Sequence, residues 1–277
     1  MTSFSLIALH GNGGGGFRFE RIKPFIPSEV NFVAPTLPGF ADVPRNPALR
    51  SLRDYAFKLH EMISTAARPL VLLGTGIGGS IALEFLQHFE QEVQGLILHA
   101  PVGTRLDTRL FPKLMKPMFI RHFGQWLFSA PLTRPIMKRL IFSQSAGTIP
   151  EDYIQKFFDE YRRCAVFAQM FDIITDEWFQ SLRPSDVPTV LLWGEKERVL
   201  TPDQAADYQK LLPNSFIKLV PNWDHFPMIE QPDEYAQLIV ELARSLLNRN
   251  PDDATSRRLL NEKARQDFLR YVYPSAW

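Results

Sequence analysis

The chain has 277 residues and a mass of 31.9 kDa, and its 31 Lys and Arg residues face 30 Asp and Glu residues. With 45% apolar residues at this length, it can bury one large core or two modest ones, which excludes disorder as its main state. A net charge of +1 excludes a global positive field, so we expect no nucleic-acid partner. The single cysteine, Cys164, excludes an internal disulfide and a thiolate metal cage.

The first residues, MTSFSLIALHG, have no basic segment and lead directly into glycine-rich sequence. They therefore predict a first strand and not a signal peptide. The chain also has no run of about 18 uncharged apolar residues, the length that a membrane-spanning helix needs. We expect a soluble protein with a cytoplasmic location.

Short apolar runs that end in turn residues alternate with longer segments of helical period. The predicted strands cover residues 5–10, 31–35, 69–74, 94–99, 189–193 and 216–220. The predicted helices cover residues 51–67, with Ser51 as the N-cap, and residues 77–89 and 235–247. This alternation is typical of parallel strands joined by crossover helices, and it predicts an α/β fold with a mostly parallel, doubly wound sheet.

One long segment interrupts this alternation. No strand is predicted between residues 102 and 184, and an insertion of this length is usually a lid or a binding element over a site. The expected organisation is a core domain of residues 1–101 and 185–248, a helical cap of residues 102–184, and a C-terminal helical extension of residues 249–277. The extension is expected to pack on the body of the protein, and the alternative is a helix that docks a partner.

Four short motifs lie at the ends of predicted strands. They are HGNGGGG at residues 10–16, LLGTGIGGS at residues 72–80, LLWGEKERV at residues 191–199 and NWDHFPMIEQP at residues 222–232. Glycines in the first motif allow a sharp turn that aims backbone N–H groups above the sheet, as an oxyanion hole requires.

Together these motifs resemble the α/β-hydrolase superfamily of capped small-molecule hydrolases, from about residue 6 to residue 247. The resemblance implies an α/β-hydrolase fold in which His225 is the catalytic histidine and Glu197 is the acid that orients it. It also implies an oxyanion hole formed by the backbone N–H of Ile77 and by the region of Asn12 or Gly13. No cofactor and no metal are implied.

The nucleophile position of this motif is Gly76. Glycine offers no oxygen for His225 to deprotonate, so the acyl-enzyme route of a serine hydrolase is closed at this position. Thr75 lies one residue before the apex, where its side chain would point back toward the sheet, and Ser80 lies about one helical turn beyond it.

Three explanations of Gly76 stay open at this level. The chain is an enzyme of altered mechanism, in which a dyad of His225 and Glu197 does proton chemistry on a water or on the substrate. Alternatively, it is a catalytically silent protein that binds a ligand in the pocket of the family. The third explanation is a variant of an ordinary hydrolase whose nucleophile has been replaced by glycine.

Several other residues are candidates for a functional role. Asp224 competes with Glu197 for the role of acid, but its place next to His225 makes contact with the same ring difficult. The glycine run at residues 13–16 lacks the Lys-Ser/Thr of a phosphate-binding loop, and the acidic partner of a dinucleotide site is also missing.

Three further side chains are expected to be structural. Cys164 is expected to be a packed apolar residue. His10 matches a family histidine that is usually structural, and His99, at the end of a strand, is expected in the pocket wall or the core.

The predicted cap is basic and aromatic. Between residues 102 and 145 the only acid, Asp107, is outnumbered by basic residues, which are Arg105, Arg109, Lys113, Lys116, Arg121, Arg134, Lys138 and Arg139. The apolar residues among them predict amphipathic helices that roof an apolar small-molecule pocket and turn their basic side to water. The alternative is a surface that contacts an anionic lipid headgroup or an acidic substrate.

Overall fold

The computed structural model describes residues 3–142 and 147–248, and for residues 110 and 111 it describes the backbone alone. The predicted C-terminal extension of residues 249–277 lies outside the described residues. Within them the chain forms one sheet with helices on both faces, as the sequence predicts.

The sheet has six strands in the order β2-β1-β3-β4-β5-β6, and all its pairings are parallel. The predicted parallel, doubly wound sheet is thus confirmed, with strand ends that differ by one or two residues from the prediction. The strands are β1 (Phe4–Leu9), β2 (Val30–Val33), β3 (Leu70–Thr75), β4 (Gly95–His99), β5 (Thr189–Gly194) and β6 (Ser215–Val220).

Helices fill the connections between the strands. The α-helices are α1 (Leu52–Met62), α2 (Ile77–Phe89), α3 (Leu110–Leu114), α4 (Met118–Ser129), α5 (Arg134–Ile141), α6 (Glu151–Arg163), α7 (Phe167–Ile173), α8 (Asp176–Ser181), α9 (Ala205–Leu211), α10 (Pro227–Glu230) and α11 (Pro232–Leu247). Three 3₁₀ segments, Gly16–Phe25, Glu90–Glu92 and Pro202–Gln204, complete the described helical structure.

Helix α1 begins at the predicted cap but ends earlier than predicted. The Ser51 hydroxyl accepts the backbone N–H of Asp54 at 3.2 Å, and the Asp54 carboxylate accepts the backbone N–H of Ser51 at 2.9 Å, which forms a capping box. The helix ends at Met62 and not at residue 67, because the Ser64 hydroxyl donates to the Glu61 carbonyl that a further helical turn would use.

The two faces of the sheet carry separate cores, because successive strand residues point to opposite sides. On one face, Ile7 and Leu72 pack in a cluster with the apolar stripe of α1 and with α2. On the other face, Leu6 and Val71 pack in a cluster with α11. Both faces are therefore covered, and the loops at the carboxyl ends of the strands are left to form a site.

The insertion between β4 and β5 contains α3 to α8, and its described residues form no strand. Its helices contribute side chains to both cores, among them Phe157 and Phe158 to one and Phe167 and Met170 to the other. The insertion is therefore packed against the core of the protein and not held apart from it.

The expected orientation of the insertion is only partly found. Four side chains of α4 are more than half exposed, namely Met118, Phe119, Phe123 and Trp126. Six of the eight basic residues form ion pairs instead of simply facing water, namely Arg105, Arg109, Lys116, Arg121, Arg134 and Lys138. The sequence pattern identified amphipathic helices, but which face is buried depends on acids that lie elsewhere in the chain.

Candidate active site

A cavity of about 800 Å³ lies between the carboxyl ends of the strands and the insertion. Gly76 and His225 line it from the loops of the sheet, whereas Met115, Phe128 and Met170 line it from the insertion. Most of its wall is apolar, so polar groups that face it stand out as candidates for chemistry.

Gly76 forms the sharp turn between β3 and α2. Its backbone has φ of 53° and ψ of −117°, a conformation that glycine adopts without the strain of a side chain. The Gly76 N–H donates to the His99 carbonyl at 3.2 Å, and the Gly76 carbonyl accepts the Val102 N–H at 3.2 Å. These bonds fix the turn against the end of β4.

The glycines on either side of this turn are required by close contacts, whereas Gly76 is not crowded. A Cβ atom on Gly74 would lie 2.6 Å from the Gly78 carbonyl oxygen, and one on Gly78 would lie 2.4 Å from the Leu9 carbonyl oxygen. A Cβ atom on Gly76 would come no closer than 3.6 Å, to the Cα atom of Gly11. The space at Gly76 therefore accepts a side chain.

Glu197 and His225 meet at the floor of the cavity. They lie in the loops after β5 and β6, two neighbouring parallel strands whose carboxyl ends reach the same edge of the sheet. The Glu197 Oε2 atom lies 2.7 Å from His225 Nδ1. Its other oxygen, Oε1, accepts the backbone N–H groups of Val199 at 2.6 Å and Leu200 at 3.0 Å. A buried carboxylate thus holds the imidazole in one orientation.

The electrostatics of the pair follow from these bonds. Burial favours the neutral form of Glu197, but the neighbouring His225 and the donated hydrogen bonds outweigh burial and lower its pKa to about 2. Burial would lower the pKa of His225, yet the Glu197 carboxylate outweighs it and raises that pKa above its ordinary value. The imidazole is therefore a stronger base than an isolated histidine.

Asp224 does not contact the imidazole of His225. Its Oδ1 atom accepts the backbone N–H of His225 at 2.9 Å, and its Oδ2 atom accepts from Arg198 at 2.7 Å. The structure therefore brings Glu197, and not Asp224, to the His225 ring.

Of the predicted oxyanion donors, Ile77 and Asn12 line the cavity, whereas the N–H of Gly13 is bonded to a side chain. Ile77 is the first residue of α2, so its N–H has no acceptor four residues earlier in the helix, and it lines the cavity. Asn12 also lines the cavity, and its side chain donates to the Phe167 carbonyl at 3.1 Å. The N–H of Gly13 donates to the Asn12 Oδ1 atom at 3.0 Å, which takes it away from a ligand.

The glycine run at residues 13–16 is explained by packing. A Cβ atom on Gly13 would lie 2.2 Å from the ring of Tyr161 in the insertion. The N–H of Gly15 donates to a Glu160 oxygen at 3.3 Å, and the N–H of Gly16 donates to the Thr36 hydroxyl at 2.9 Å. These N–H groups already have acceptors, so the run forms no phosphate cradle in this structure.

The hydroxyls near the turn point away from its apex. Thr75 donates to the Leu9 carbonyl at 3.0 Å, and Ser80 donates to the Val102 carbonyl at 2.5 Å. Cys164 is buried and is not among the residues that line the cavity, and burial raises the pKa of its thiol to about 11. None of the three replaces the side chain that Gly76 lacks.

Two further buried histidines are neutral. His10 Nε2 accepts the backbone N–H of Leu37 at 3.2 Å, which makes Nδ1 the donor to the Gly11 carbonyl at 3.0 Å. His99 lines the cavity, and its Nδ1 lies 3.1 Å from the Tyr235 hydroxyl. Burial lowers the pKa of both imidazoles to about 4.

Sequence reasoning missed Arg18, a buried arginine that lines the cavity. Its side chain is 4% exposed and pairs with Glu160 of α6, with Nε and Oε2 3.2 Å apart. Arginine usually lies at the surface, so only its position two residues after the glycine run could have drawn attention to it.

Residues 3–142 and 147–248 include no group of three or more His, Cys, Asp or Glu side chains placed to hold a metal ion. The same residues form no helix that is both long and apolar enough to cross a membrane.

Comparison with known proteins places this geometry in context. A sequence model of the alpha/beta hydrolase family matches residues 6–238 of the chain. The monoacylglycerol lipase ABHD6 of Rattus norvegicus is 24% identical over 266 residues, which cover 90% of this chain and 77% of that lipase.

Solved structures share the same architecture. A putative lipase from Acinetobacter baumannii has a TM-score of 0.73 at 22% identity, covering 88% of this chain and 85% of that chain. A membrane phospholipase A, described as a bacterial virulence factor, has a TM-score of 0.69 at 22% identity, covering 89% of this chain and 80% of that chain. The predicted α/β-hydrolase fold is confirmed by these likenesses and by the parallel sheet.

Proposed function

The chain belongs to the alpha/beta hydrolase family, and on this premise we propose that it hydrolyses esters of apolar small molecules through a dyad of His225 and Glu197. The observation that carries the proposal is the 2.7 Å contact between His225 Nδ1 and Glu197, at the floor of a cavity where Gly76 leaves room for a reactant. The named lipase activity of the relatives supports the same reaction class.

In this mechanism Gly76 occupies the nucleophile position, and water takes the place of a serine hydroxyl. His225 Nε2 accepts a proton from water while the water oxygen forms a bond to the ester carbonyl carbon. The carbonyl oxygen becomes an oxyanion that accepts hydrogen bonds from the backbone N–H groups of Ile77 and Asn12. The carbon–oxygen bond to the alcohol then breaks, and protonated His225 returns its proton to the departing alkoxide. The products are a carboxylic acid and an alcohol.

Glu197 has two tasks in this mechanism. Its hydrogen bond keeps the proton of His225 on Nδ1, so Nε2 is the basic nitrogen that faces the substrate. Its negative charge also stabilises the imidazolium that forms during the reaction. Because Val199 and Leu200 donate to Glu197, the carboxylate stays ionised while it does so.

The substrate is an apolar molecule held under the insertion. The insertion acts as the cap of a core domain formed by residues 1–101 and 185–248, and its side chains supply much of the apolar wall, including Phe128, Phe167 and Met170. An acyl chain of moderate length fits a cavity of about 800 Å³ with these walls.

Turnover of p-nitrophenyl esters of increasing chain length tests the proposal. Replacement His225→Ala removes the base, and kcat/KM is expected to fall by about 10²-fold or more. The matched control is His122→Ala, which alters an exposed histidine of α4 that bonds only its own helix. Equal activity of the His225→Ala variant and the parent chain would overturn the proposed mechanism.

A ligand-binding protein without catalysis is the second candidate, and the missing side chain at Gly76 is the observation that favours it. It predicts saturable binding of the apolar ligand with no product and little change of affinity in His225→Ala. Product formation that depends on His225 decides against it.

Replacement of Gly76 tests the third explanation, an ordinary hydrolase that has lost its nucleophile. The nearest atom to an added Cβ lies 3.6 Å away, so Gly76→Ser fits the turn apart from the strain of its positive φ. A burst of p-nitrophenol in Gly76→Ser, but not in Gly76→Ala, is expected if the remaining machinery suits a serine nucleophile. The alanine variant carries the same backbone strain without the hydroxyl.

An anionic lipid surface is the proposed partner of the outer side of the cap. The exposed apolar side chains of α4 continue into Leu132, Ile136 and Leu140, which are at least 60% exposed. The sequence from residue 108 to residue 150 contains no Asp or Glu, and Lys113 and Arg139 are its exposed basic residues outside the ion pairs described above. Exposed aromatic side chains beside basic residues are typical of membrane-surface binding. A cytoplasmic location stays a prediction.

Sedimentation with lipid vesicles tests this contact. More protein is expected to bind phosphatidylcholine vesicles that contain phosphatidylserine than vesicles of phosphatidylcholine alone. The double replacement Phe119→Ser and Trp126→Ser is expected to remove most of the binding, while Met62→Ser, at an exposed apolar residue of α1, serves as the control. Equal binding of all variants contradicts the proposed contact.

A further inference from the structure

Two buried nitrogen atoms that belong to the cavity wall have no hydrogen-bond partner. Among the described residues, four buried side-chain atoms lack a partner, namely Arg18 Nη1, His99 Nε2, Tyr208 Oη and Ser215 Oγ. Only Arg18 and His99 among these four residues line the cavity. A buried donor without an acceptor is unfavourable, so an unpaired nitrogen of an arginine that lines a cavity indicates a place for a ligand atom.

The guanidinium of Arg18 is held rigidly in all other respects. Its Nε pairs with Glu160 at 3.2 Å, and its Nη2 donates to the Phe157 carbonyl at 3.3 Å. Its Cζ lies 3.5 Å from the centre of the Phe157 ring, a cation–π contact that also holds the guanidinium in place. The remaining nitrogen, Nη1, is therefore preorganised toward a single direction.

The charge of Arg18 is already balanced by Glu160. A second anion next to this pair would lose its hydration and gain little, because the nearest carboxylate repels it. A neutral oxygen with lone pairs satisfies Nη1 without adding charge. The chemistry of the wall therefore favours a carbonyl, ether or hydroxyl oxygen over a carboxylate.

Arg18 lies on the same side of the cavity as the proposed base. Its Cζ is 5.8 Å from the centre of the Phe226 ring, and the rings of Phe226 and His225 are in edge contact with centres 4.5 Å apart. A ligand oxygen at Nη1 is thus about one aromatic ring away from the group that acts on the ester. The Arg18 side chain is 4% exposed, so a ligand oxygen reaches Nη1 only after neighbouring side chains shift.

We propose that Arg18 is a specificity-determining residue that binds a second, neutral oxygen of the substrate through Nη1. The substrate class is therefore an apolar chain whose polar end carries an acceptor oxygen near the reacting ester, as in a hydroxy ester, a keto ester or a partial ester of a polyol. The inference rests on the proposed function for the reacting ester, but the oxygen-binding site itself needs no turnover.

Binding of unreactive ligands tests the site without catalysis. The probes are 2-octanone, which has a neutral acceptor, octanoate, which has an anionic one, and n-octane, which has none, each measured by displacement of the neutral fluorophore Nile red. The variant Arg18→Lys keeps a positive charge for Glu160 but loses the forked guanidinium. It is expected to bind 2-octanone about tenfold more weakly and n-octane with unchanged affinity, because only the hydrogen bond is lost.

Two further variants separate binding from stability. The pair Arg18→Met with Glu160→Gln removes both charges together, and it is expected to show the same selective loss for 2-octanone. Arg134→Met is the matched control, since Arg134 also pairs with an acid of α6, Asp159, and lies near a phenylalanine ring but does not line the cavity.

The outcomes are distinct from those of the proposed function. Equal losses for 2-octanone and n-octane in the Arg18 variants mean a merely structural role and overturn the inference. Octanoate that binds more tightly than 2-octanone, in an Arg18-dependent way, overturns the neutral acceptor. A selective loss of 2-octanone supports the inference even if His225→Ala leaves ester turnover unchanged, which overturns only the proposed mechanism.

Discussion

Two buried carboxylates, Glu197 and Glu160, each hold a basic side chain that lines the cavity, and they differ in the hydrogen bonds that they accept. At the floor, Glu197 receives His225 at 2.7 Å and two backbone N–H groups at 2.6 and 3.0 Å. At the wall, Glu160 receives Arg18 at 3.2 Å and one backbone N–H at 3.3 Å. The Glu197 carboxylate thus accepts more hydrogen bonds, and shorter ones on average, than the Glu160 carboxylate.

This difference gives the two acids opposite pKa shifts. Burial raises the pKa of Glu160 above its ordinary value despite the opposing charge of Arg18. Burial acts in the same direction on Glu197, but the nearby His225 and the hydrogen bonds outweigh it and lower the pKa to about 2. Close donors therefore decide the direction of the pKa shift of a buried acid, and a carboxylate that stays charged is what the proposed base, His225, needs.

The largest expected effect is a difference in kcat between variants of Glu197 and Glu160. Glu197→Gln keeps the shape of the side chain but removes the charge that orients and stabilises His225, so kcat is expected to fall by about 10² to 10⁴-fold. Glu160→Gln is expected to leave kcat within about threefold, because Glu160 does not touch the proposed base. Steady-state ester hydrolysis by both variants measures the contrast.

The residual activity of Glu197→Gln carries a second signature. Glu197 raises the pKa of His225, so its loss is expected to move the acidic limb of the rate profile to lower pH. An unchanged limb, or an equal loss of kcat in both variants, would remove the distinction between floor and wall.

The second effect concerns stability at the wall. Arg18→Met leaves the Glu160 carboxyl buried without its cation, and the free energy of unfolding is expected to fall by about 3 to 5 kcal/mol. Adding Glu160→Gln removes the buried charge, so the double variant is expected to regain a large part of that loss. Urea denaturation followed by circular dichroism measures both values, and a double variant no more stable than Arg18→Met would refute the charge explanation.

The third effect is a contrast in pH dependence. The pKa of Glu197 is lowered in the folded state, so its stabilising contribution is present above its ordinary pKa of 4.5 and is lost as the pH falls toward about 2. The pKa of Glu160 is raised, so its contribution is complete below pH 4.5 and declines as the pH rises through the raised value.

Unfolding free energies of the parent, Glu197→Gln and Glu160→Gln chains across this pH range test the contrast. The deficit of Glu197→Gln is expected to shrink toward acid, and the deficit of Glu160→Gln is expected to shrink toward neutral pH. If both deficits shrank toward the same end of the pH range, the pKa values of Glu197 and Glu160 would be shifted in the same direction, which contradicts the prediction.

The smallest effect comes from an exposed ion pair that serves as a reference for the buried ones. Lys23 Nζ lies 2.7 Å from Glu20 Oε1, and nearly half of each side chain is exposed to water. Lys23→Ala is expected to change the free energy of unfolding by less than about 1 kcal/mol, because water screens the pair. A loss as large as that of Arg18→Met would show that short ion-pair distance, and not burial, sets the energy.

The floor of the cavity could be predicted from the sequence because its parts follow strands. Glu197 and His225 lie in motifs that follow neighbouring parallel strands, and the resemblance of these motifs to the family implied a pair, whose Oε2 and Nδ1 atoms lie 2.7 Å apart in the structure. Helix α1 was predicted from its cap for a similar reason, since Ser51 and Asp54 are neighbours in the chain.

The wall could not be predicted in the same way. Arg18 and Glu160 are separated by more than 140 residues, and neither lies in a motif. The acceptor of the Gly15 N–H, which is Glu160, and the outward direction of Phe119 likewise depend on contacts that no spacing encodes. An amphipathic pattern marks two faces of a helix without saying which one meets the core.

The sequence by itself determined the parallel sheet, the family resemblance and the absence of a side chain at Gly76, because periodicity and motif order are local properties of the chain. The tertiary structure decided the environment around them. It showed that three close donors keep Glu197 ionised, that Gly76 has open space and that an arginine lining the apolar cavity has one buried nitrogen atom without a partner. Burial, charge and hydrogen-bond satisfaction arise from residues far apart in the chain, so they exist only once the chain has folded.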